Sequence, residues 1–325
     1  MRLTLAALLI GTAFPAAAQE FPQQFTTRFG TVRLDAPPER VVSLDFGGVD
    51  NLLALGVAPV AIRYWYGSDE FGVWDWAQDA LGNQTPEVLR GEINIERIAA
   101  LDPDVILAMA SGITSDQYAL LSRIAPVVAA PKGRSDYGTP WQERARLAGR
   151  ATGRLDEAEA QIEAIEARLA QAARQHPEWQ GQSVAVAFHW NEQPGAYTSE
   201  DIRPQLFAEL GFVTPEAFDT ARSGNAFWAG FSSEDLSPLD TDLLVWLDDG
   251  EVVGKLKALA LRKGLRAHRE GRELYADEVL TAAFSHGSLL SLPYVIDEML
   301  PLVEAAVDGD PATPVQSTHE AGLAP

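Results

Sequence analysis

The stretch RGEINIERIAALDPDVILAM, residues 90–109, reads as a turn, a helix, a loop stopped by Pro103 and a buried strand. Its last part, DVILAM at 104–109, is a solid apolar run without the alternation of a half-solvated strand. A strand covered on both faces has that appearance. Comparable runs stand at VVSL (41–44), VAIR (60–63) and VVAA (127–130), with helical patterns between them. The alternation predicts an α/β fold with a mainly parallel sheet and helices on both faces.

Downstream, WQERARLAGRATGRLDEAEAQIEAIEARLAQAARQHPEW (141–179) places Leu155, Ala158, Ile162, Ile165 and Leu169 at three- and four-residue steps. Such spacing puts them on one face of a helix. The helix is either a surface element of one large domain or a bridge between two lobes. The bridge is favoured, because strand-like runs start afresh after Gly181: SVAVAF (183–188), LLVWL (243–247) and ELYAD (273–277). The expected layout is therefore a first α/β lobe over 19–140, a helix over 141–179 and a second α/β lobe over 180–307. Residues 308–325, DGDPATPVQSTHEAGLAP, show no core-forming pattern and read as a flexible tail.

Residues 1–18 have the layout of a cleavable secretory signal: Arg2, an apolar run from Leu3 to Phe14, then Pro15 and small residues, with cleavage expected after Ala18. Nothing beyond it approaches 18 uninterrupted apolar residues, so no segment is expected to span a membrane. The chain has no cysteine. Disulfides, thiolate metal sites and a lipidated cysteine after the signal are thereby excluded. The periplasm of a Gram-negative cell is the simplest compartment. A net charge of −21 argues against nucleic acid, whose phosphates are bound by clustered Lys and Arg. It does not exclude a small ligand, since a pocket can differ in sign from the whole.

Ligands of open α/β sheets bind beyond the carboxyl ends of strands. In the first half those positions hold Asp45 and Phe46, the run from Tyr64 to Trp76, and Ser111 with Gly112. In the second they hold His189, Trp190 and Asn191, then Asp248, with NAFWAGF (225–231) and FSHGS (284–288) further along. Of eight tryptophans, Trp65, Trp74, Trp76, Trp190 and Trp228 fall in these expected loops. Any one of them reads as well as core. Five at the same expected end of two sheets fit a sizeable ligand held between lobes, because rigid amphipathic rings give contact area at small entropic cost. The ligand-binding candidates are Phe46, Tyr64, Trp65, Trp74, His189, Trp190, Trp228 and His286.

RVVSLDFGGVDNLLALGVAPVAIR (40–63) and INIERIAALDPDVILAMASGITSDQYALLSRIAPVVAAP (93–131) together resemble the amino-terminal lobe of a known family. It is that of the periplasmic binding proteins serving iron–siderophore, haem and cobalamin ABC importers. The resemblance covers roughly residues 39–305 and is weaker in the second half. It implies two Rossmann-like lobes bridged by one long α-helix, limited closure, no enzymatic activity and no cofactor, the ligand being a ferric siderophore. It also implies an inner-membrane ABC permease as partner of a monomeric receptor, met by one exposed glutamate of each lobe. By motif position these are Glu96 in NIERI and, as the matching candidate, Glu234 in FSSEDL. A glutamate at a helix start also has a local reason, the helix dipole, and S-x-x-[DE] spacing fits that at Glu234; both can hold. Arg90, six residues before Glu96, stands where hydroxamate receptors of the family carry a ligand-contacting arginine. A guanidinium can donate two parallel hydrogen bonds to outward-facing anionic oxygens of a chelate. An ordinary surface arginine is the other reading. Gly112 replaces a ligand-contacting tyrosine of those receptors, so the pocket differs in detail. Trp228 resembles a second-lobe ligand tryptophan, with Arg203, Arg222 and Tyr197 as neighbouring candidates.

Other chemistry is also written in the chain. His189 or His286 would serve a haem or corrinoid receptor of the same fold. AFSHG approaches the G-x-S-x-G elbow of a secreted α/β hydrolase, and Ser285, Asp297 and His319 follow in hydrolase order. Ala283 replaces the first glycine, however, and His319 lies in the expected tail. Five scattered histidines do not suit a bare-metal receptor. DFG at 45–47 lacks every other kinase part, and FGG is no phosphate loop. The leading expectation is a receptor that holds a ferric siderophore between two lobes. Hydroxamate, catecholate and carboxylate chelates all remain open at this point.

Overall fold

A computed structural model describes residues 20–67, 71–135, 137–224 and 226–325; the expected signal over 1–18 lies outside them. An antiparallel hairpin of β1 (Gln23–Thr27) and β2 (Gly30–Leu34) precedes the first lobe. That lobe contains β3 (Val41–Ser43), α1 (Val49–Ala54), β4 (Ala61–Arg63), α2 (Asp75–Leu81), β5 (Glu87–Leu89), α3 (Ile95–Ala100), β6 (Val105–Ala108), α4 (Ser115–Leu121) and β7 (Val127–Ala129). Helices α5 (Trp141–Thr152) and α6 (Leu155–Gln175) follow. The second lobe begins with β8 (Val184–Trp190), β9 (Gln193–Tyr197), α7 (Ile202–Glu209), α8 (Glu216–Ala221) and β10 (Trp228–Gly230). It continues through β11 (Leu243–Leu247), α9 (Val252–Ala258), α10 (Arg266–Arg269), β12 (Glu273–Ala276), α11 (Glu278–His286), α12 (Ser291–Ala306) and α13 (Gln316–Glu320).

The first sheet runs β5-β4-β3-β6-β7 and is parallel throughout. The second runs β10-β9-β8-β11-β12, the same order of first-formed strand in the middle. There, β8, β11 and β12 are parallel, whereas β9 is antiparallel to both β8 and β10. The β8–β9 hairpin turns at Asn191 and Glu192, both at positive φ (47° and 60°), as a two-residue primed turn requires. Each sheet reverses its strand order beside its central strand, which is where such folds open a crevice.

The helix expected over 141–179 is two helices. Gly153, at φ 74°, ends α5 in the left-handed conformation that only glycine adopts cheaply, and α6 starts two residues later. The periodicity of α6 holds: Ala158, Ile162, Ile165, Leu169 and Ala172 are its buried residues. Gln161 of α6 donates to Ala54 O in the first lobe at 2.9 Å, and Trp141 of α5 donates to Glu209 in the second at 2.9 Å. Around these helices runs one continuous core that joins Val41 and Val105 to Val184 and Val245 through Ile162 and Leu169. The opposite sheet faces have cores of their own, around Val42 and Ile106 in one lobe and Ala185 and Leu244 in the other. Opening the lobes as rigid bodies would shear the shared core, which limits the motion the fold allows.

The tail is another correction. Residues 308–325 fold back onto the second lobe, where Thr318 Oγ1 accepts from Tyr275 N at 3.0 Å and donates to Glu273 O at 2.7 Å. Leu323 is 1% exposed, and its carbonyl accepts from Arg262, itself in a buried ion pair with Glu273 at 2.7 Å. The segment has no visible periodicity because Val315, Thr318 and Leu323 alone anchor its short helix and turn.

Candidate functional site

At the carboxyl edge of the first sheet, β3 leads into Asp45 and Phe46. Asp45 Oδ1 accepts from Ala110 N at 2.6 Å and Phe46 N donates to Ala110 O at 3.2 Å, tying the exits of β3 and β6 together where the strand order reverses. Burial lifts the Asp45 pKa to about 6, although the Ala110 amide and the charges of Arg144 and Arg63 pull it down. Gly47, at φ 73°, explains the FGG run: a Cβ there would sit 2.9 Å from the His286 ring. That close approach seats α1 against the second lobe, with Asp50 accepting from Ser288 Oγ at 2.8 Å and Asn51 from Leu289 N at 3.0 Å.

Arg63 ends β4, donates to Ser111 O at 2.9 Å and lies over the Phe46 ring at 4.3 Å. Trp65 packs between Phe46 (5.4 Å between centroids) and His286 (5.2 Å). Opposite them, Tyr197 ends β9 and carries the Arg203 guanidinium over its ring at 4.1 Å. Arg203 is paired with Asp201 at 3.0 Å and donates to Ser285 Oγ at 2.9 Å. Phe227, just before β10, is parallel to the Tyr197 ring and meets Tyr137 of the first-lobe side edge-on.

These side chains enclose an interlobe cavity of about 210 Å³, lined by Phe46, Trp65, Tyr137, Arg144, Arg203 and Phe227 among others. Beyond Tyr137 and Phe227, which line both, a wider chamber of about 510 Å³ is walled by Arg28, Arg134, Glu200 and Arg222. A further cavity of about 190 Å³ lies by Arg63, Arg90 and Arg97. Arg144 is buried on the same face of α5 as Trp141, Ala145 and Ala148. It donates to His286 O at 3.0 Å and Gly287 O at 2.9 Å, and its Nε has no partner. Burial lowers its pKa to about 10, which leaves it charged at neutral pH.

The candidates read from the sequence divide. Phe46 and Trp65 line the interlobe cavity; Tyr64 and Arg90 stack nearby, guanidinium over ring at 3.8 Å, with Arg90 exposed. Trp74 is buried and stacks on Trp76 at 5.3 Å. His286 is buried among Trp65, Trp74 and Trp76 with Nδ1 2.8 Å from Ala282 O, and burial lowers its pKa. Neither is among the cavity-lining residues. Trp228 turns to Phe188 (5.8 Å), and its neighbour Phe227 takes the cavity wall. Of its further neighbours, Arg203 and Tyr197 stand at the cavity and Arg222, paired with Glu200 at 2.8 Å, in the wider chamber.

His189 and Trp190 lie elsewhere. They sit at the hairpin end of β8, and Tyr197 is four residues beyond the residue paired with Trp190, about 14 Å along β9 at strand rise. Of the first-lobe residues picked out by the carboxyl-end rule, Phe46 and Trp65 line the interlobe cavity and Trp74 does not. His189 and Trp190 are not among the residues lining that cavity, where the antiparallel β9 and β10 bring Tyr197 and Phe227 in place of the end of β8. His189 is buried with Nδ1 unpartnered and its pKa lowered by burial, while Trp190 is 58% exposed.

Glu96 is exposed in the first turn of α3, whose Asn94 cap accepts from Arg97 N at 2.9 Å. Glu234 is exposed in a turn, not at a helix start, and its neighbour Ser233 donates to Glu192 O at 3.4 Å. The hydrolase residues are not brought together: Ser285 Oγ meets Arg203 and Thr281, Asp297 pairs with Arg168, and His319 lines a cavity beneath the tail. Among the described residues no cluster of three or more His, Asp or Glu is arranged to hold a metal, and no helix is long and apolar enough to cross a membrane.

Sequence reasoning passed over Arg63, Tyr137, Arg144 and Phe227. Arg144 had a signal, since a charged residue three after Trp141 and four before Ala148 interrupts an apolar helix face.

A family model described as periplasmic binding protein matches residues 41–279. The Fe(3+) dicitrate-binding periplasmic protein FecB of Escherichia coli K12 is 30% identical over 210 residues, 65% of this chain and 66% of that one. Thus the chain spans just under two thirds of that relative. Among solved structures, a periplasmic solute binding protein from Mycobacterium smegmatis superposes with a TM-score of 0.76 at 30% identity, covering 87% of this chain and 98% of that one. PiaA of Streptococcus pneumoniae TIGR4 in complex with ferrichrome gives a TM-score of 0.74 at 28% identity, covering 88% and 99%.

Proposed function

Because the chain belongs to the periplasmic binding protein family, we propose that it captures a ferric siderophore between its lobes and delivers it to an inner-membrane ABC importer. One observation carries this reading: both lobes contribute aromatic rings to a single cavity between them, and α5 and the second lobe contribute the guanidinium groups of Arg144 and Arg203. Rings cover an organic chelate and arginines orient its oxygens. No bond is made or broken, and the work is recognition alone. The names of the relatives support iron chelates as the cargo, dicitrate for FecB and ferrichrome for PiaA. In this reading the protein works as a monomer in the periplasm, delivered there by the signal over 1–18. Arg90 on Tyr64 forms part of the ligand rim, and Glu96 and Glu234 present the loaded receptor to arginines of the permease.

Native mass spectrometry of protein recovered from an iron-starved periplasm tests the proposal. The expected complex is one protein with one ferric chelate. A haem or corrinoid mass instead would replace the cargo, and recovery with no ligand under iron starvation would count against the function.

A further inference from the structure

Of the eight tryptophans, seven are buried or packed on another ring. Trp190 is the exception, 58% exposed, its ring packing on no other aromatic ring among the described residues. A single exposed apolar side chain is ordinary, but two further observations fall at the same place. Trp190 ends β8 and pairs with Gln193 across the two-residue turn of Asn191 and Glu192. Among the described residues three that are not glycine have positive φ: Asp102, Asn191 and Glu192. Asp and Asn tolerate that conformation, whereas a primed turn ordinarily carries glycine where Glu192 stands. Backbone strain of this kind gathers at sites of recognition. The hairpin tip is also tied to the turn that bears Glu234: Phe231 N donates to Pro194 O at 2.8 Å, Ser233 Oγ to Glu192 O at 3.4 Å, and Glu234 N to Ser232 Oγ at 3.1 Å. Glu192 and Glu234 are both exposed, and the nearby cation, Lys255, is engaged by Asp249 and Glu251. The result is a braced surface with one bare indole and net negative charge.

Resting on the receptor reading above, we propose that Trp190 is the apolar anchor of the surface that meets the importer, and that the occupant of this surface is a basic, arginine-bearing loop on the periplasmic face of the permease. Indole is the ring over which a guanidinium is held best. Tryptophan and arginine also dominate the energetic centres of interfaces, where a few side chains carry most of the affinity. Carboxylates at Glu192 and Glu234 complement the charge of such a loop and steer its approach. Neither Trp190 nor Glu192 lines the interlobe cavities, so this surface is separate from the one that takes the chelate.

The test measures binding of the purified protein to the permease complex reconstituted in nanodiscs, beside its affinity for ferric citrate and ferrichrome. Trp190→Ala should keep chelate affinity and the melting temperature of the parent, yet weaken permease binding at least about tenfold, the scale of a central aromatic anchor. Trp190→Phe should restore most of it. Glu192→Gly relaxes the turn and removes its carboxylate, so it should raise the melting temperature while weakening permease binding about threefold. Unchanged permease affinity in Trp190→Ala overturns the proposal and leaves the receptor reading standing, and so does loss of chelate affinity in that variant. A parent that dimerises in sedimentation, with the dimer abolished by Trp190→Ala and permease binding unaltered, assigns the surface to a second copy instead and overturns it too. A parent that binds neither chelate nor permease overturns both.

Discussion

Tyr137 meets Phe227 edge-on across the cleft, ring centroids 5.4 Å apart and planes at 70°. The pair joins a residue just before α5 to one just before β10, and it stands between the inner cavity and the wider chamber. Neither ring is fully buried, so each has surface left for a ligand. Phe227→Ala and Tyr137→Ala should each weaken chelate binding by roughly 1 kcal/mol, about fivefold, the scale of a lost aromatic contact. Thermal unfolding of the unliganded variants should stay close to that of the parent. Fluorescence titration beside calorimetry checks both halves, and unchanged affinity in both variants would take the pair out of the site.

Asp45 makes stability depend on pH. Its folded pKa of about 6 lies above the ordinary value of 3.8, so between the two the folded protein holds a proton that the unfolded chain has released. Stability from this group is greatest below the unfolded value, falls as pH rises through the window, and is flat above it. At about 1.4 kcal/mol per pKa unit the fall is on the order of 3 kcal/mol. Asp45→Asn keeps an acceptor for Ala110 N and should flatten the profile, with its largest gain in stability at neutral pH. Parallel profiles for the two proteins from pH 4 to 7 would contradict this.

Glu96 and Glu234 are both exposed and neither lines the interlobe cavities, so docking and binding should separate. Reversing both charges, Glu96→Arg with Glu234→Arg, should keep chelate affinity and lose transport. Single Ala variants should lose less, because an exposed ion pair is worth under about 1 kcal/mol, while like charges across an interface are repulsive. Uptake of labelled chelate in cells, set beside affinity of the same purified variants, decides it. Normal uptake by the double reversal would remove both residues from the docking surface.

The folded-back terminus is expected to be a structural strap. Removing residues 315–325 strips Val315 and Leu323 from the core and takes the Leu323 carbonyl from Arg262. The loss should be about 3 kcal/mol or more, from two buried aliphatic side chains alone. Urea unfolding measures it, and an unchanged midpoint would show the strap to be dispensable.

These features were unequally legible in the sequence. Strands β6, β7 and β11 announce themselves because burial on both faces demands unbroken apolar runs. By contrast β5 is three half-buried residues, and β9, QPGAY, contains Pro and Gly and reads as a turn. Missing β9 hid the antiparallel half of the second sheet, and with it the reason that His189 and Trp190 sit at the hairpin end of β8, outside the linings of the interlobe cavities. Beside Trp228, the neighbouring Phe227, just before β10, forms the cavity wall, and nothing in the sequence marked which of the two would. Arg144 and Tyr137 come from the segment entering α5, far in sequence from the strands they serve, and only the folded chain brings them to Phe46.

The central claim, that a ferric chelate is held between the lobes, is tested most directly by crystallising the protein with the tightest-binding ferric chelate and recording anomalous diffraction at the iron edge. One iron peak inside the cavity bounded by Phe46, Arg144, Arg203 and Phe227 is the predicted result. An empty cleft, or an iron peak elsewhere on the surface with these side chains unaltered, would contradict it.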